Sequence, residues 1–233
     1  MKVIENIVNF STNEKTFVTI GTFDGVHFGH QKIIEKLVLE AKKAKRKSVL
    51  LTFFPHPRMV LQKEASIALI NTIDERANLL EKTGLDYLVI HPFSKDFSRM
   101  TALEFVRDFL VNQLNISKLI IGYDHHFGKN REGNIVQLTE YSHLYDFSVE
   151  EIPAQDIDDV SVSSTKIRRA LARGNLNTAN SYLGYHFMLI GRVVNGKKLG
   201  GKIGYPTANI DIKESYKLLL NIFYQVNPRP NAK

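Results

Sequence analysis

The feature that most restricts the fold is an alternation of two periodicities. Five short runs of β-branched, aromatic and aliphatic residues, at 17–23, 48–54, 86–91, 118–122 and 147–152, are separated by stretches with helical spacing. A strand buried on both faces reads as a continuous apolar run, whereas an amphipathic helix repeats its apolar residues every three to four positions. After the first run, Ile33, Ile34, Leu37, Val38 and Ala41 form one such stripe. Thr72 with Glu75, and Thr101 with Glu104, have capping-box spacing, so each pair opens a helix. Gly84 ends the first of these, and Phe105, Val106, Phe109 and Leu110 share a face of the second. Residues 135–145 make a further helix, and a short one over 164–173 is stopped by Gly174. Strands joined through helices lie parallel with right-handed crossovers, which predicts an α/β fold with a doubly wound parallel sheet. Ligands bind such sheets beyond the carboxyl ends of the strands, and the loops after the first, second and fourth runs are the unusual ones here.

The 233 residues, 43% hydrophobic and 24% charged, suffice for a real core and exclude a disordered, collagen-like or coiled-coil chain. The absence of cysteine excludes disulfides, cysteine-ligated zinc, iron–sulfur clusters and thiol nucleophiles, so any nucleophile or metal ligand is an oxygen or a nitrogen. No segment reaches the roughly 18 uninterrupted apolar residues of a membrane span, and a cytoplasmic location is expected. A formal charge of +7 favours anionic ligands without choosing among nucleotides, nucleic acid and acidic membranes. Its densest part, Lys42, Lys43, Lys45, Arg46 and Lys47, falls in the last turns of the first helix, where cations complement the helix dipole. Outside that run no stripe of Lys and Arg interleaved with aromatics stands out, so neither nucleic acid nor a membrane is expected as a partner.

The strongest constellation is GTFDGVHFGH at 21–30, where the first strand turns into its helix. Gly25 and Gly29 let backbone approach a ligand, and the unpaired N–H groups of a helix start attract an anion. His27 and His30 can both donate hydrogen bonds to a phosphate as charge grows on it during transfer. The pattern is neither a Walker P-loop nor a dinucleotide Gly-x-Gly-x-x-Gly. Two other readings of the pair are ordinary capping or core histidines, and a metal site, which the lack of a nearby acidic ligand opposes. His56, between Pro55 and Pro57, sits in a stiff loop at a strand end, either meeting a ligand or as a plain surface histidine. Ser163, Ser164 and Thr165 are good N-cap residues, and with Arg168 one turn in they make either a simple cap or a phosphate clamp. Asp74, Glu75 and Arg76 read as no more than the first turn of a helix.

The string TFDGVHFGHQ at 22–31 resembles the nucleotide-binding motif of the bacterial FAD synthetases, the bifunctional riboflavin kinase/FMN adenylyltransferase family. More broadly it resembles the His-x-Gly-His nucleotidyltransferases, which share a Rossmann-like fold. Three later segments match the same family in the same order: TFFPHP at 52–57, GYDHHFG at 122–128 and SVSSTKIR at 161–168. The resemblance implies an adenylyltransferase domain over 1–183 that moves AMP from ATP to FMN, with FAD and pyrophosphate as products and Mg2+ accompanying ATP. It implies catalytic roles for His27, His30 and Arg168, and ATP contacts from Gly21, Phe23, Asp24, Gly25, Gly29, Ser164 and Thr165. Flavin contacts are implied for Phe54, Pro55, His56, Pro57, Asp124 and Phe127, where an acceptor and a ring in one loop suit the polar edge and flat face of an isoalloxazine.

From His186 the texture changes to a strand over 188–194 and then a glycine-rich segment through Asn209, the start of a β-type module. Residues 196–209, GKKLGGKIGYPTAN, resemble the opening of the riboflavin kinase module, in which Thr207 and Asn209 would help hold Mg-ATP. Only 24 residues follow Asn209, the family's catalytic glutamate lies well beyond that point, and neither Asp211 nor Glu214 matches it. The expectation is a truncated kinase module over 184–233, the incomplete start of a β-barrel. The rival readings are an adenylyltransferase for another phosphate acceptor, which the flavin-like loops oppose, and a basic nucleic-acid-binding protein, which lacks its stripe. Given riboflavin and ATP, the chain is expected to form no FMN, which chromatography of the flavins reads directly.

Overall fold

The computed structural model describes residues 1–62, 67–123, 125–153, 162–196, 204, 209–212 and 214–218. Its centre is a six-stranded sheet of β1 (Lys2–Glu5), β2 (Thr16–Ile20), β3 (Lys47–Phe54), β4 (Tyr87–Pro92), β5 (Ile116–Gly122) and β6 (Ser148–Ile152), in the order β1-β4-β3-β2-β5-β6. Every neighbouring pair is parallel, as strands joined through helices require. Val18 of β2 lies level with Val49 on one side and Leu119 on the other. From β2 the chain builds outward through β3 and β4, then crosses back to add β5 on the opposite side. The carboxyl ends of β2 and β5 therefore flank the switch point, the crevice in which such sheets bind ligands.

Helices α1 (Phe28–Lys43), α2 (Pro57–Leu61), α3 (Ile73–Glu81), α4 (Ala102–Glu104, continuing as a π-helix over Phe105–Gln113), α5 (Ile135–Tyr145), α6 (Ser164–Ala172) and α7 (Leu176–Leu183) complete the domain. Alternate residues of β3 serve two cores. Val49 and Leu51 pack with Phe105, Val106 and Leu110 of α4, while Leu50 packs with Ile34 and Leu37 of α1 and Leu80 of α3. A third cluster joins α6 and α7 through Ile167, Leu171, Ala179 and Leu183 to Ile70. Both capping boxes form, at Thr72 with Glu75 and at Thr101 with Glu104.

Several elements depart from the sequence expectation. β1 is a four-residue edge strand with one buried side chain, too short for its alternation to register. The first apolar run stops at Ile20, because Phe23 and Val26 adopt positive φ of 47° and 38° and turn the chain. The first helix ends at Lys43, so Lys47 belongs to β3 and pairs with Asp86. Pro57 does more than stop a strand, since it opens α2 with His56 as its N-cap. Within the expected strand over 188–194 only Arg192–Val194 (β7) pairs, antiparallel to Asn209–Asp211 (β8). Among the described residues this hairpin and residues 214–218 are what the structure shows of the β-type module.

Candidate active site

The site begins with a turn that the backbone alone would not favour. Between β2 and α1, Phe23, Gly25 and Val26 all have positive φ, and a Cβ on Gly25 would come within 2.9 Å of Ile70 Cδ1. What holds the turn is a set of side chains reaching its carbonyl groups. Arg76 Nη1 donates to Thr22 O at 2.7 Å, Ser164 Oγ to Asp24 O at 2.9 Å, the Tyr185 hydroxyl to Gly25 O at 2.6 Å and Gln31 Nε2 to Val26 O at 2.8 Å.

Asp24 sits at the middle of this turn with 1% of its surface exposed. Its carboxylate accepts from Ile70 N–H (3.0 Å), Asn71 N–H (3.2 Å) and Arg168 Nη2 (2.5 Å), with Arg76 Nη2 at 3.6 Å. A buried carboxylate survives only when paired and hydrogen-bonded, and this one is both. The carboxylate oxygens of Asp24 are engaged by protein groups, which gives the residue a structural part beside the ATP contact that the resemblance implies. Arg168 binds Asp24 with Nη2 and donates from Nε to Ala68 O at 3.0 Å, its side chain 17% accessible.

The two histidines of the motif lie at the start of α1. His27 is the N-cap, its Nδ1 accepting from His30 N–H at 3.4 Å, which in the neutral ring leaves the proton on Nε2. The His27 and His30 rings stack with centroids 3.6 Å apart, and Phe23 lies against His30 at 4.9 Å. The capping reading and the ligand reading are thus compatible. Burial first, then the neighbouring His27 and Arg76, hold the His30 imidazole well below its ordinary pKa. His30 Nδ1, Asn71 Nδ2, and Arg76 Nε and Nη2 are buried without a hydrogen-bond partner among the described residues. Orphaned donors gathered around one turn fit a site for an anion with several acceptor oxygens.

His56 is not a surface residue. It caps α2 by accepting from Arg58 N–H at 3.2 Å, and burial pushes its pKa down to about 4, with Asp24, Arg168 and Arg76 all close enough to act on it. The structure therefore brings His27, His30, His56, Asp24 and Arg168 to one crevice at the carboxyl ends of β2 and β3. Gly21 prolongs the sheet by donating to Leu51 O at 3.1 Å, Gly29 is buried in the first turn of α1, and Thr165 is exposed at the start of α6. Phe54 is half-buried at the end of β3, while Pro55 is exposed.

Two implied residues, Phe127 and Asn209, fall elsewhere. Phe127 is packed against Phe105 in the core at 5.7 Å and covered by Gly133, where a Cβ would come within 2.6 Å of its ring. Its ring packs in the core and is not an open face in this structure. Asn209 lies exposed on β8, and Asp124 and Thr207 lie outside the described residues. Among the described residues no group of three or more His, Asp or Glu could hold a metal ion.

Sequence reasoning missed Glu75, Arg76 and Tyr185. The first two, read as an ordinary helix turn, are fully buried and tie α3 to the site. A signal was present: Ile73, Arg76, Ala77 and Leu80 occupy one stripe of α3, and a guanidinium on an apolar stripe needs a buried anion. A separate shallow groove between α6 and α7, about 220 Å³, is lined by Lys166, Arg169, Arg173 and Tyr182 and by none of the expected site residues.

Comparison with known proteins places these features in a family. The FAD synthetase family model matches residues 9–166, and the riboflavin kinase family model matches residues 183–228. A bifunctional riboflavin kinase/FMN adenylyltransferase from Buchnera aphidicola is 37% identical over 220 residues, 94% of this chain and 70% of that protein. The protein of the same name from Escherichia coli is 34% identical over 225 residues, 96% and 72% of the two chains. A crystal structure described as a macrolide-efflux protein from Streptococcus pneumoniae superimposes with a TM-score of 0.81 at 30% identity, covering 91% of this chain and 69% of that one. Among the described residues no helix is long and apolar enough to cross a membrane.

Asp24→Asn leaves two guanidinium groups without their buried counter-charge, so it should lower stability by about 3 kcal/mol or more, read from urea unfolding. Acid should weaken the fold for a second reason. His56 titrates near 6.5 when unfolded and near 4 when folded, and His30 is shifted the same way, so the unfolded chain takes up protons first as pH falls. The His56 contribution is complete above about 6.5 and declines towards about 4, and that of His30 is likewise lost on the acid side. His56→Gln should flatten that decline by up to one proton in the pH dependence of the unfolding free energy.

Proposed function

The chain belongs to the FAD synthetase family, and from that membership we propose that it transfers AMP from ATP to FMN, releasing FAD and pyrophosphate. The observation that carries the reading is the stacked His27–His30 pair at the N-terminus of α1, set at the switch point of a parallel sheet. A terminal phosphate oxygen of FMN attacks the α-phosphorus of ATP in line, the new P–O bond forms, and the bond to the pyrophosphate oxygen breaks. The nucleophile is already an anion at neutral pH, so no general base is needed. What the protein supplies is position and charge stabilisation.

Each group has a part in that. His27 Nε2–H and His30 donate to the oxygens of the reacting phosphate, and the first-turn N–H groups of α1 add their dipoles. His30, kept neutral by burial, acts as a hydrogen-bond donor and not as a cation. The orphaned Arg76 nitrogens face the same turn and would complete their hydrogen bonds on phosphate oxygens. Ser164, Thr165 and Arg168 close the nucleotide side from α6, and Phe54, Pro55, His56 and Pro57 border the flavin. ATP would enter as its Mg2+ complex, part of the nucleotide substrate, and the ion would supply charge neutralisation at the phosphates. Riboflavin kinase activity is not part of this proposal.

Incubation with FMN, ATP and Mg2+ should give FAD and pyrophosphate, resolved by chromatography. His27→Ala and His30→Ala should each lower the rate by about 10²-fold or more, as loss of one preorganised donor does. Turnover within about threefold of the unaltered chain in both would remove the pair from the mechanism.

A further inference from the structure

The peptide at 68–71 is gripped from two sides. On one, Ile70 and Asn71 donate to Asp24. On the other, Leu69 N–H donates to Tyr216 O and Leu218 N–H to Leu69 O, both at 2.7 Å, so residues 216–218 lie beside it as a one-residue parallel bridge. Between these bonds the Lys217 side chain runs inward until 3% of the residue is exposed. Its ammonium donates to Glu75 Oε2 at 2.5 Å, Ile70 O at 2.6 Å and Met188 O at 3.0 Å, and it stands 4.7 Å from the Phe187 ring centroid. Three donors meet three acceptors in fixed directions, so the strap has one seat.

That seat sets the neighbouring ring. Tyr216 lies against Phe54 with centroids 5.2 Å apart and planes tilted by 59°, at the carboxyl end of β3. Both rings are half-buried. The Lys217 anchor and the backbone bridge do not involve the Tyr216 ring, whose hydroxyl is hydrogen-bonded to the Ile73 backbone at the start of α3. Two inclined rings at the carboxyl edge of a parallel sheet, beside His56, offer a face and an edge to a flat heterocycle.

We propose that Tyr216 is a flavin-contacting residue of the adenylyltransferase site, supplied by the segment that matches the riboflavin kinase model and held in place by the Lys217–Glu75 pair. This rests on the reading that Phe54–Pro57 borders FMN. Lys217 is a positioning residue: it sets Tyr216 through the backbone and, through Ile70 and Glu75, braces the peptide and helix that hold Asp24.

The test compares Tyr216→Ala, Tyr216→Leu, Tyr216→Phe and Lys217→Met in the full chain, varying FMN and ATP separately during FAD formation, with circular dichroism melts as the folding control. Tyr216→Ala should raise KM for FMN by about five- to tenfold, the value of one aromatic contact, while KM for ATP changes by less than about twofold. Tyr216→Phe should recover most of that loss. Tyr216→Leu, which keeps apolar volume, should not, and it serves where the alanine variant melts early. Lys217→Met should reproduce the FMN-selective rise. Equal rises in both KM values, or none, would overturn the proposal. A parallel titration of FMN fluorescence without ATP separates the two readings: quenching that weakens in Tyr216→Ala supports the contact even if no FAD forms, and quenching identical in all variants refutes it even if FAD does form.

Discussion

Burying the Asp24 carboxylate obliges four separate pieces of chain to meet. The turn after β2 carries it, the peptide at 68–71 offers two N–H groups, α3 brings Arg76 and α6 brings Arg168. The peptide and α3 are consecutive, but the turn and α6 are each distant from them in sequence, and an unpaired carboxylate at that depth would cost several kcal/mol. The charge thus acts as an assembly condition. Until α6 arrives from more than 140 positions away, Asp24 lacks its shortest ion pair, and once it arrives the crevice has its walls.

The same meeting explains how a strained turn persists. Positive φ at Phe23 and Val26 costs on the order of 1 kcal/mol each, and a loop free in solvent would relax. Here the side chains of both residues are buried, and the carbonyl groups of Thr22, Asp24, Gly25 and Val26 are each held by a side chain from another element. The rigidity passes directly to His27, which follows Val26 and begins α1. A stacked imidazole pair 3.6 Å apart is then fixed before any ligand enters, so little reorganisation remains for the chemical step.

Much of this was legible in the sequence, and the failures have physical causes. Alternating periodicities gave the parallel sheet, and capping boxes at Thr72 and Thr101 located two helix starts to the residue, because those signals are local. The glycine- and histidine-rich string located the turn between β2 and α1 for the same reason. What stayed hidden depends on which distant groups share a space. Asp24 and Arg168 give no local sign that they pair with one another, which the fold alone shows. Phe127 likewise gives no local sign that Gly133 lies over its ring. Tyr216 and Lys217 gave no local signal, since their partners are Phe54, Ile70 and Glu75 on the far side of the chain.

The mutual neutralisation also bears on how a nucleotide site can stand ready without collapsing. Two bare guanidinium groups around one turn would repel each other and draw in any anion; their sharing of one carboxylate leaves a single net positive charge instead. The residual deficit lies in directional form, as buried N–H groups on Arg76 and Asn71 that lack acceptors. Unsatisfied donors discriminate more sharply than charge does, because only a ligand with oxygens at the right places removes their penalty. A phosphate chain carries such oxygens, and a carboxylate or chloride carries too few. On the proposed reading, preference for a polyphosphate would rest on these donors, held around Asp24, more than on the basic surface elsewhere on the chain.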